Sequence, residues 1–302
     1  MTPPPRQQPL LGAASPLTAA VVSGPVRRAV VLARFDTAVY LAVGAHHEVL
    51  PVVTSDALAL PTSVRLPMRS DALCWGVDPG DTVLVGGSSL HLGAREVRVV
   101  RRWRPSRVTP GPGTVPAHRL AGLAEQLATA AAPAAGTAGP ADPSLTVRSA
   151  DVVRAALSGS DPVGARVNEM VGAGAGLTPS GDDALCAVLL VLRGAGAERA
   201  RAVVDAAVGA ASRRTTSLSA SLLHAAGQGY AVPAVAELVR AVLCDDPVTR
   251  GPALTAVLAI GSSSGRDLVA GIAGALHVLA APPAPSAPPR VAVRQPVGRG
   301  NP

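Results

Sequence analysis

The stretch Gly172 to Asp183 reads G-A-G-A-G-L-T-P-S-G-D-D and runs straight into the apolar segment Ala184 to Leu192. It concentrates more turn chemistry, hydroxyl and carboxylate than any other dozen residues of the chain. Pro179 fixes φ, and Gly172, Gly174, Gly176 and Gly181 permit positive φ, so a tight loop should deliver the start of a buried helix. Ser180 stands three residues before Asp183, in the S-x-x-D capping pattern. The ordinary reading is therefore a helix cap. Asp182 is the carboxylate that such a cap does not need. Neighbouring helical residues point about 100° apart, so if Asp183 folds back to cap, Asp182 faces a metal ion, an arginine or solvent. The helix start itself carries free N–H groups and roughly half a positive charge, which suits an anion.

Two further stretches share this character. Gly261-Ser262-Ser263-Ser264-Gly265-Arg266-Asp267 repeats S-G-x-D before the apolar segment Leu268 to Leu279, and Arg213-Arg214-Thr215-Thr216-Ser217-Leu218-Ser219 opens another helix. Taken separately, each is a cap or a solvated turn. If the helix ends converge, together they would line one polar pocket between alanine-rich helices, and convergence is the expectation. Asp182 and Asp183 are its candidate catalytic residues. Gly176, Thr178, Ser180, Gly181, Arg214, Thr216, Ser264, Gly265, Arg266 and Asp267 are candidates for substrate binding. The glycine beside each cap implies close approach by a ligand or by another backbone. Two like charges 4 Å apart repel by about 4 kcal/mol at an effective dielectric of 20. An anion beside the aspartates thus needs Arg214, Arg266 or a Mg²⁺ ion between them, with Asp182 as the metal ligand.

Other candidates are weaker. G-x-G-x-G after a helix is not the dinucleotide fingerprint, which follows a strand and has different spacing. His224, four residues before Gln228, reads as an acid/base residue or as a packing histidine. His46 and His47 sit at a β turn without further metal-ligand spacing.

Composition narrows the chemistry. The chain has no lysine, which excludes a Schiff-base lysine and a P-loop lysine and leaves arginine and histidine as the cations. Of its 302 residues 48% are hydrophobic but only 2% aromatic, so the core must be built from Ala, Val and Leu. The net charge of +7 would suit an acidic partner, yet Arg27, Arg28, Arg290, Arg294 and Arg299 place much of the excess in or beside the ends. With almost no aromatics for base stacking, and with Arg95 to Arg104 alternating with Val97 and Val99 as a solvated strand does, nucleic acid is not the expected partner. Cys74, Cys186 and Cys244 are odd in number and lack C-x-x-C spacing, which fits reduced thiols in the cytoplasm. Neither a clean signal peptide nor an uninterrupted apolar span is present, so no membrane association is expected.

The elements that position these residues follow from pattern. Residues 1–25 read as a disordered tail rich in Pro, Gln and Ala. Residues 26–105 hold strand-length β-branched runs at Ala29–Ala33, Val39–Val43, Val49–Val53, Val64–Leu66, Thr82–Val85 and Glu96–Val100. Residues 106–116 read as a Pro/Gly linker, residues 117–280 as an α-helical domain, and residues 281–302 as a second disordered tail. Within the helical part, Pro133 to Pro143 reads as a flexible joint. The expected fold class is α+β, a small antiparallel β sheet or barrel followed by a helical domain that carries the chemistry.

The run G-A-G-L-T-P-S-G-D-D resembles the bacterial family typified by AllH, a subunit of oxamate carbamoyltransferase. T-T-S-L-S-A-S-L-L at Thr215 to Leu223 and I-G-S-S-S-G-R-D-L-V-A-G at Ile260 to Gly271 are similar in content and order to later motifs of that family, for coverage of roughly Arg28 to Ala280. The resemblance implies a role in the phosphorolysis of N-carbamoyl-oxamate to oxamate and carbamoyl phosphate, at the end of anaerobic purine and allantoin breakdown, together with other enzyme subunits. The expected ligand is a small anion, either carbamoyl phosphate or a carbamoyl compound bearing a carboxylate. The competing expectations are a non-catalytic interaction subunit and an enzyme for another small molecule on the same scaffold.

Overall fold

The computed structural model describes residues 8–44, 48–111, 115–132, 144–159 and 162–281. The first part is a closed eight-stranded barrel made of β1 (Leu10–Ala14), β2 (Arg27–Arg34), β3 (Ala38–Val43), β4 (Glu48–Val53), β5 (Val64–Arg65), β6 (Thr82–Gly86), β7 (Ser89–Leu92) and β8 (Arg95–Arg102), with the short helix α1 (Ala19–Ser23) after the first strand. Around the barrel the order is β1-β5-β4-β3-β2-β6-β7-β8. Alternation along the strands fills the inside with Val31, Val39, Leu41, Leu50, Val52, Val85, Leu90 and Val97. Trp75 joins this core and donates Nε1–H to Asp36 O.

The expected α+β class holds, a barrel followed by helices, but two details differ. Residues 10–23 are not a disordered tail, because β1 closes the barrel between β5 and β8. Its sequence, LLGAA, looks featureless because Gly12 must be small. A Cβ there would lie 3.2 Å from Val97 Cγ1 and 3.3 Å from Val64 Cγ1. Nor is the sheet wholly antiparallel, since β1–β8 and β4–β5 are parallel pairs. The arginines of β8 do lie on a solvated strand: Arg98, Arg101 and Arg102 are exposed while Val97 is buried.

The second part is helical: α2 (Ala117–Ala131), α3 (Ser144–Ser158), α4 (Val163–Met170), α5 (Ser180–Gly194), α6 (Glu198–Ala211), α7 (Ser217–Gly227), α8 (Pro233–Leu243), α9 (Pro247–Leu258) and α10 (Ser264–Leu279). Helix α5 runs through the middle, buried at every position from Gly181 to Leu192. A helix apolar on all sides belongs inside a bundle, and α6, α7, α8 and α10 pack around it. Small residues let the helices approach: a Cβ on Gly271 of α10 would lie 2.3 Å from Ala184 O of α5, and one on Gly274 would lie 2.3 Å from Thr146 O of α3. This is how helices in a core almost free of aromatics come into close contact.

The expected linker is docked from Ser106 to Gly111. Val108 is fully buried and pairs through N–H with Gly229 O, its carbonyl accepts from Arg193 Nε, and Gly111 N–H donates to Gly194 O. The Pro133–Pro143 joint, the turn bearing His46 and His47, and the extreme tails at residues 1–7 and 282–302 lie outside the described residues. Among the described residues, no helix is long and apolar enough to cross a membrane.

Candidate functional site

Helix α5 begins one residue earlier than the capping pattern suggests. Its N-cap position is Pro179, which has neither an N–H nor a side-chain acceptor, and no side-chain cap bond forms. Ser180 is therefore the first helical residue, Asp182 the third and Asp183 the fourth, and the roles of the two carboxylates are exchanged relative to expectation. Asp182, fully buried, accepts from Gly172 N–H at 2.9 Å, from Ser219 Oγ–H at 2.7 Å and from Thr215 Oγ1–H. It ties the glycine loop to the start of α7. With its two oxygens taken by three donors, it does not fit the expected role of Mg²⁺ ligand. Among the described residues, no group of three or more His, Cys, Asp or Glu side chains is placed to hold a metal ion.

Asp183 is the carboxyl that faces a cavity of about 290 Å³ between the barrel and the helices. It is 7% exposed, and its Oδ2 is buried without a hydrogen-bond partner among the described residues. Burial pushes its pKa up to about 7; the nearby hydroxyls of Ser264 and Thr178 oppose this, and the charges of Asp267 and Asp182 add to it. Thr178 Oγ1 and Ser264 Oγ are hydrogen-bonded at 3.1 Å, so the loop before α5 and the start of α10 do converge. Asp267 is buried at the same helix end.

The rest of the cavity is mostly apolar, with Thr37, Tyr40 and Tyr230 as its other polar side chains among the described residues. Helix α5 presents Asp183, Cys186 and Leu190, α7 presents Leu218, Leu222 and Ala226, and α10 presents Ser264 and Leu268. These are the i, i+3, i+4 and i+7 stripes of regular helices. The barrel contributes Phe35 and Tyr40, in edge-to-face contact at 5.9 Å, together with Leu58 and Leu60. Burial raises the Tyr40 phenol and, more strongly, the Cys186 thiol, which the charges of Asp183 and Asp182 raise further.

The remaining candidates divide by place. Thr178 and Ser264 line the cavity, whereas Gly181 and Gly265 serve packing. A Cβ on Gly181 would lie 2.0 Å from Met170 O, and one on Gly265 2.1 Å from Val257 O. The close approach they permit is that of backbone. Gly181 N–H is engaged by Ala173 O, and Asp182 and Asp183 N–H by Pro179 O, so these N–H groups are not open to an anion. Thr216 caps α7, accepting from Ser219 N–H and donating to Leu177 O. Gly176 stands exposed at φ +94° with no atom near its missing Cβ, and Ser180 packs against Gly174. Arg214 is exposed, and Arg266 donates to Ser262 O. Neither lines the cavity, which among the described residues has no arginine, lysine or histidine in its wall. The expected neutralising cations are thus absent from it. His224 is exposed and hydrogen-bonded to Gln228, so it is not a packing histidine.

Sequence reasoning passed over Phe35, Tyr40 and Cys186 in the cavity, and Thr215 and Ser219 as partners of Asp182. Cys186 had a signal, its place one turn after Asp183. The aromatics had only their rarity.

Residues 170–276 match the family model described as oxamate carbamoyltransferase subunit AllH. The match takes in the end of α4, the whole glycine loop, helices α5 to α9 and nearly all of α10, and so every helical residue that lines the cavity. It is narrower than the span from Arg28 to Ala280 that the motifs suggested, and it does not reach the barrel. No solved structure matches the chain.

Proposed function

We propose that this chain is a subunit of a carbamoyltransferase-type enzyme that splits N-carbamoyl-oxamate with phosphate into oxamate and carbamoyl phosphate, and that the cavity over Asp183 receives the carbamoyl end of the substrate. The observation that carries this reading is a carboxyl with a pKa near 7, set beside two hydroxyls on the floor of an apolar cavity inside the matched residues. In the reaction a phosphate oxygen attacks the carbamoyl carbon, the bond from that carbon to the oxamate nitrogen breaks, and the nitrogen takes up a proton. A carboxyl that still holds its proton near neutral pH is suited to donate to the carbamoyl oxygen or to that nitrogen. The hydroxyls of Thr178 and Ser264 are suited to orient the amide.

Phosphate is the harder ligand. Among the described residues the cavity wall has no cation to balance a dianion, so in this reading the guanidinium or metal charge that phosphate requires is supplied by another subunit. Such a division of labour agrees with a family named for a subunit. Asp182 holds no Mg²⁺ in this reading, because both of its oxygens are taken by protein donors.

A second reading is an interaction subunit without catalysis. Asp182, Thr216, Gly181 and Gly265 favour it, since all four motif residues are used in capping or packing. Purification with partner subunits, followed by an N-carbamoyl-oxamate phosphorolysis assay, separates the two. In the catalytic reading Asp183→Asn lowers kcat by about a hundredfold or more with the assembly intact. Unchanged turnover in an intact assembly leaves the interaction reading standing.

A further inference from the structure

Helix α7 has two faces and a cavity on each. Its apolar face, Leu218, Leu222 and Ala226, closes the cavity over Asp183. Its other face, Ser217, Ser221, His224 and Gln228, looks across a second cleft of about 540 Å³ toward the barrel. We propose that this second cleft is a separate small-molecule site, for a ligand carrying a carboxylate at one end and N–H donors at the other.

The wall of the cleft dictates that chemistry. Arg213, from the turn before α7, and Glu48, from the start of β4, both line it, and among the described residues neither has an ion-pair partner. Opposite charges left unpaired in one cleft match a ligand with an anionic end and a donor end better than they match a simple anion, which Glu48 would repel. Thr62, on the barrel side, is 5% exposed with its Oγ1 buried and unpartnered among the described residues. A buried hydroxyl without a partner costs on the order of 1–3 kcal/mol, and a polar ligand seated in the cleft is a natural source of the missing bond. His224 and Gln228 are hydrogen-bonded to each other at 2.7 Å, which holds the imidazole in place along the wall. The stripe of hydroxyl, imidazole and amide at i, i+4, i+7 and i+11 faces Thr18, Glu48 and Thr62 across the cleft, a polar lining that suits a polar guest. None of this depends on the chemistry proposed for the cavity over Asp183.

The test is direct binding to the full chain, by isothermal titration and ligand-observed NMR at millimolar concentration. The probes are glycine, β-alanine and 4-aminobutanoate, and the amides oxamate, malonamate and succinamate, with acetate and acetamide as single-ended controls. At least one two-ended probe should bind more tightly than either control. Arg213→Ala and Glu48→Gln, both exposed positions that leave the fold intact, should each weaken it about tenfold. Asp183→Asn and Thr178→Val, in the other cavity, should leave it unchanged. The proposal is overturned if no two-ended probe binds, if binding survives both Arg213→Ala and Glu48→Gln, or if it is lost in Asp183→Asn and kept in Arg213→Ala. Loss of phosphorolysis in Asp183→Asn with probe binding retained leaves this site intact, whereas the converse result removes it alone.

Discussion

Thr178 Oγ1 lies 3.1 Å from Ser264 Oγ, one hydrogen bond that joins the loop before α5 to the first residue of α10 across 86 positions of sequence, directly beside the Asp183 carboxyl. Both hydroxyls favour the ionised form of that carboxyl against the effect of burial. Thr178→Val and Ser264→Ala should each raise the Asp183 pKa further above 7 and cost about 1 kcal/mol of stability. Carbon-detected NMR titration of the carboxyl, alongside denaturant unfolding, checks both effects. A pKa that falls in either variant contradicts the arrangement.

The pH dependence of folding follows from the same residue. Its folded pKa of about 7 stands above the ordinary 3.8, so between these values the folded chain holds a proton that the unfolded chain has lost. The contribution is fully present below about pH 4 and is lost as pH rises through about 7, at up to roughly 1.4 kcal/mol per pH unit. Asp183→Asn should flatten this slope between about pH 5 and 7. Urea unfolding of both proteins across that range decides it, and parallel slopes would count against a buried, neutral Asp183.

Asp182 is placed differently, its two oxygens accepting from three donors. Asp182→Ala leaves Gly172 N–H and the hydroxyls of Thr215 and Ser219 without their acceptor, at a cost of about 3 kcal/mol or more. The loss should appear in Tm whether or not ligand or Mg²⁺ is added. A variant that folds normally and loses only ligand affinity would restore Asp182 to the binding residues.

Two glycines should respond in opposite directions. Gly271→Ala drives a Cβ to 2.3 Å from Ala184 O between α10 and α5 and should cost several kcal/mol or prevent folding, while Gly209→Ala in α6, which meets nothing within 4 Å, should stabilise by about 0.5–1 kcal/mol. Thermal unfolding of the pair tests whether the helices approach as closely as described.

The thiols offer a further check. Cys74 and Cys244 are exposed, and Cys186 is buried with its pKa raised. Iodoacetamide at neutral pH should label the first two quickly and Cys186 only on unfolding. Rapid labelling of Cys186 in the folded protein would mean that the cavity is open to solvent.

Much of the architecture was legible because its signals are local. Turn residues and β-branched runs mark most of the strands, and apolar patterns of helical period mark the region from α2 onward as helical. Strand β1 was not legible. Five residues, LLGAA, flanked by prolines carry no alternation, and their place is set by the gap they fill between β5 and β8. The docked segment after the barrel escaped for the same reason, since Val108 is held by Gly229 and Arg193, far along the chain.

Residue order and helical geometry are enough to gather hydroxyls and carboxylates at the starts of α5, α7 and α10 and to make two adjacent aspartates face different ways. Which aspartate faces the cavity is settled by packing between distant parts of the chain. That choice turns on a one-residue shift in where α5 begins, and the shift is fixed by partners supplied from Gly172, Thr215 and Ser219. The same packing leaves Arg214 and Arg266 outside the cavity, since the side on which an arginine lies depends on how whole helices pack and not on its distance in sequence from a carboxylate.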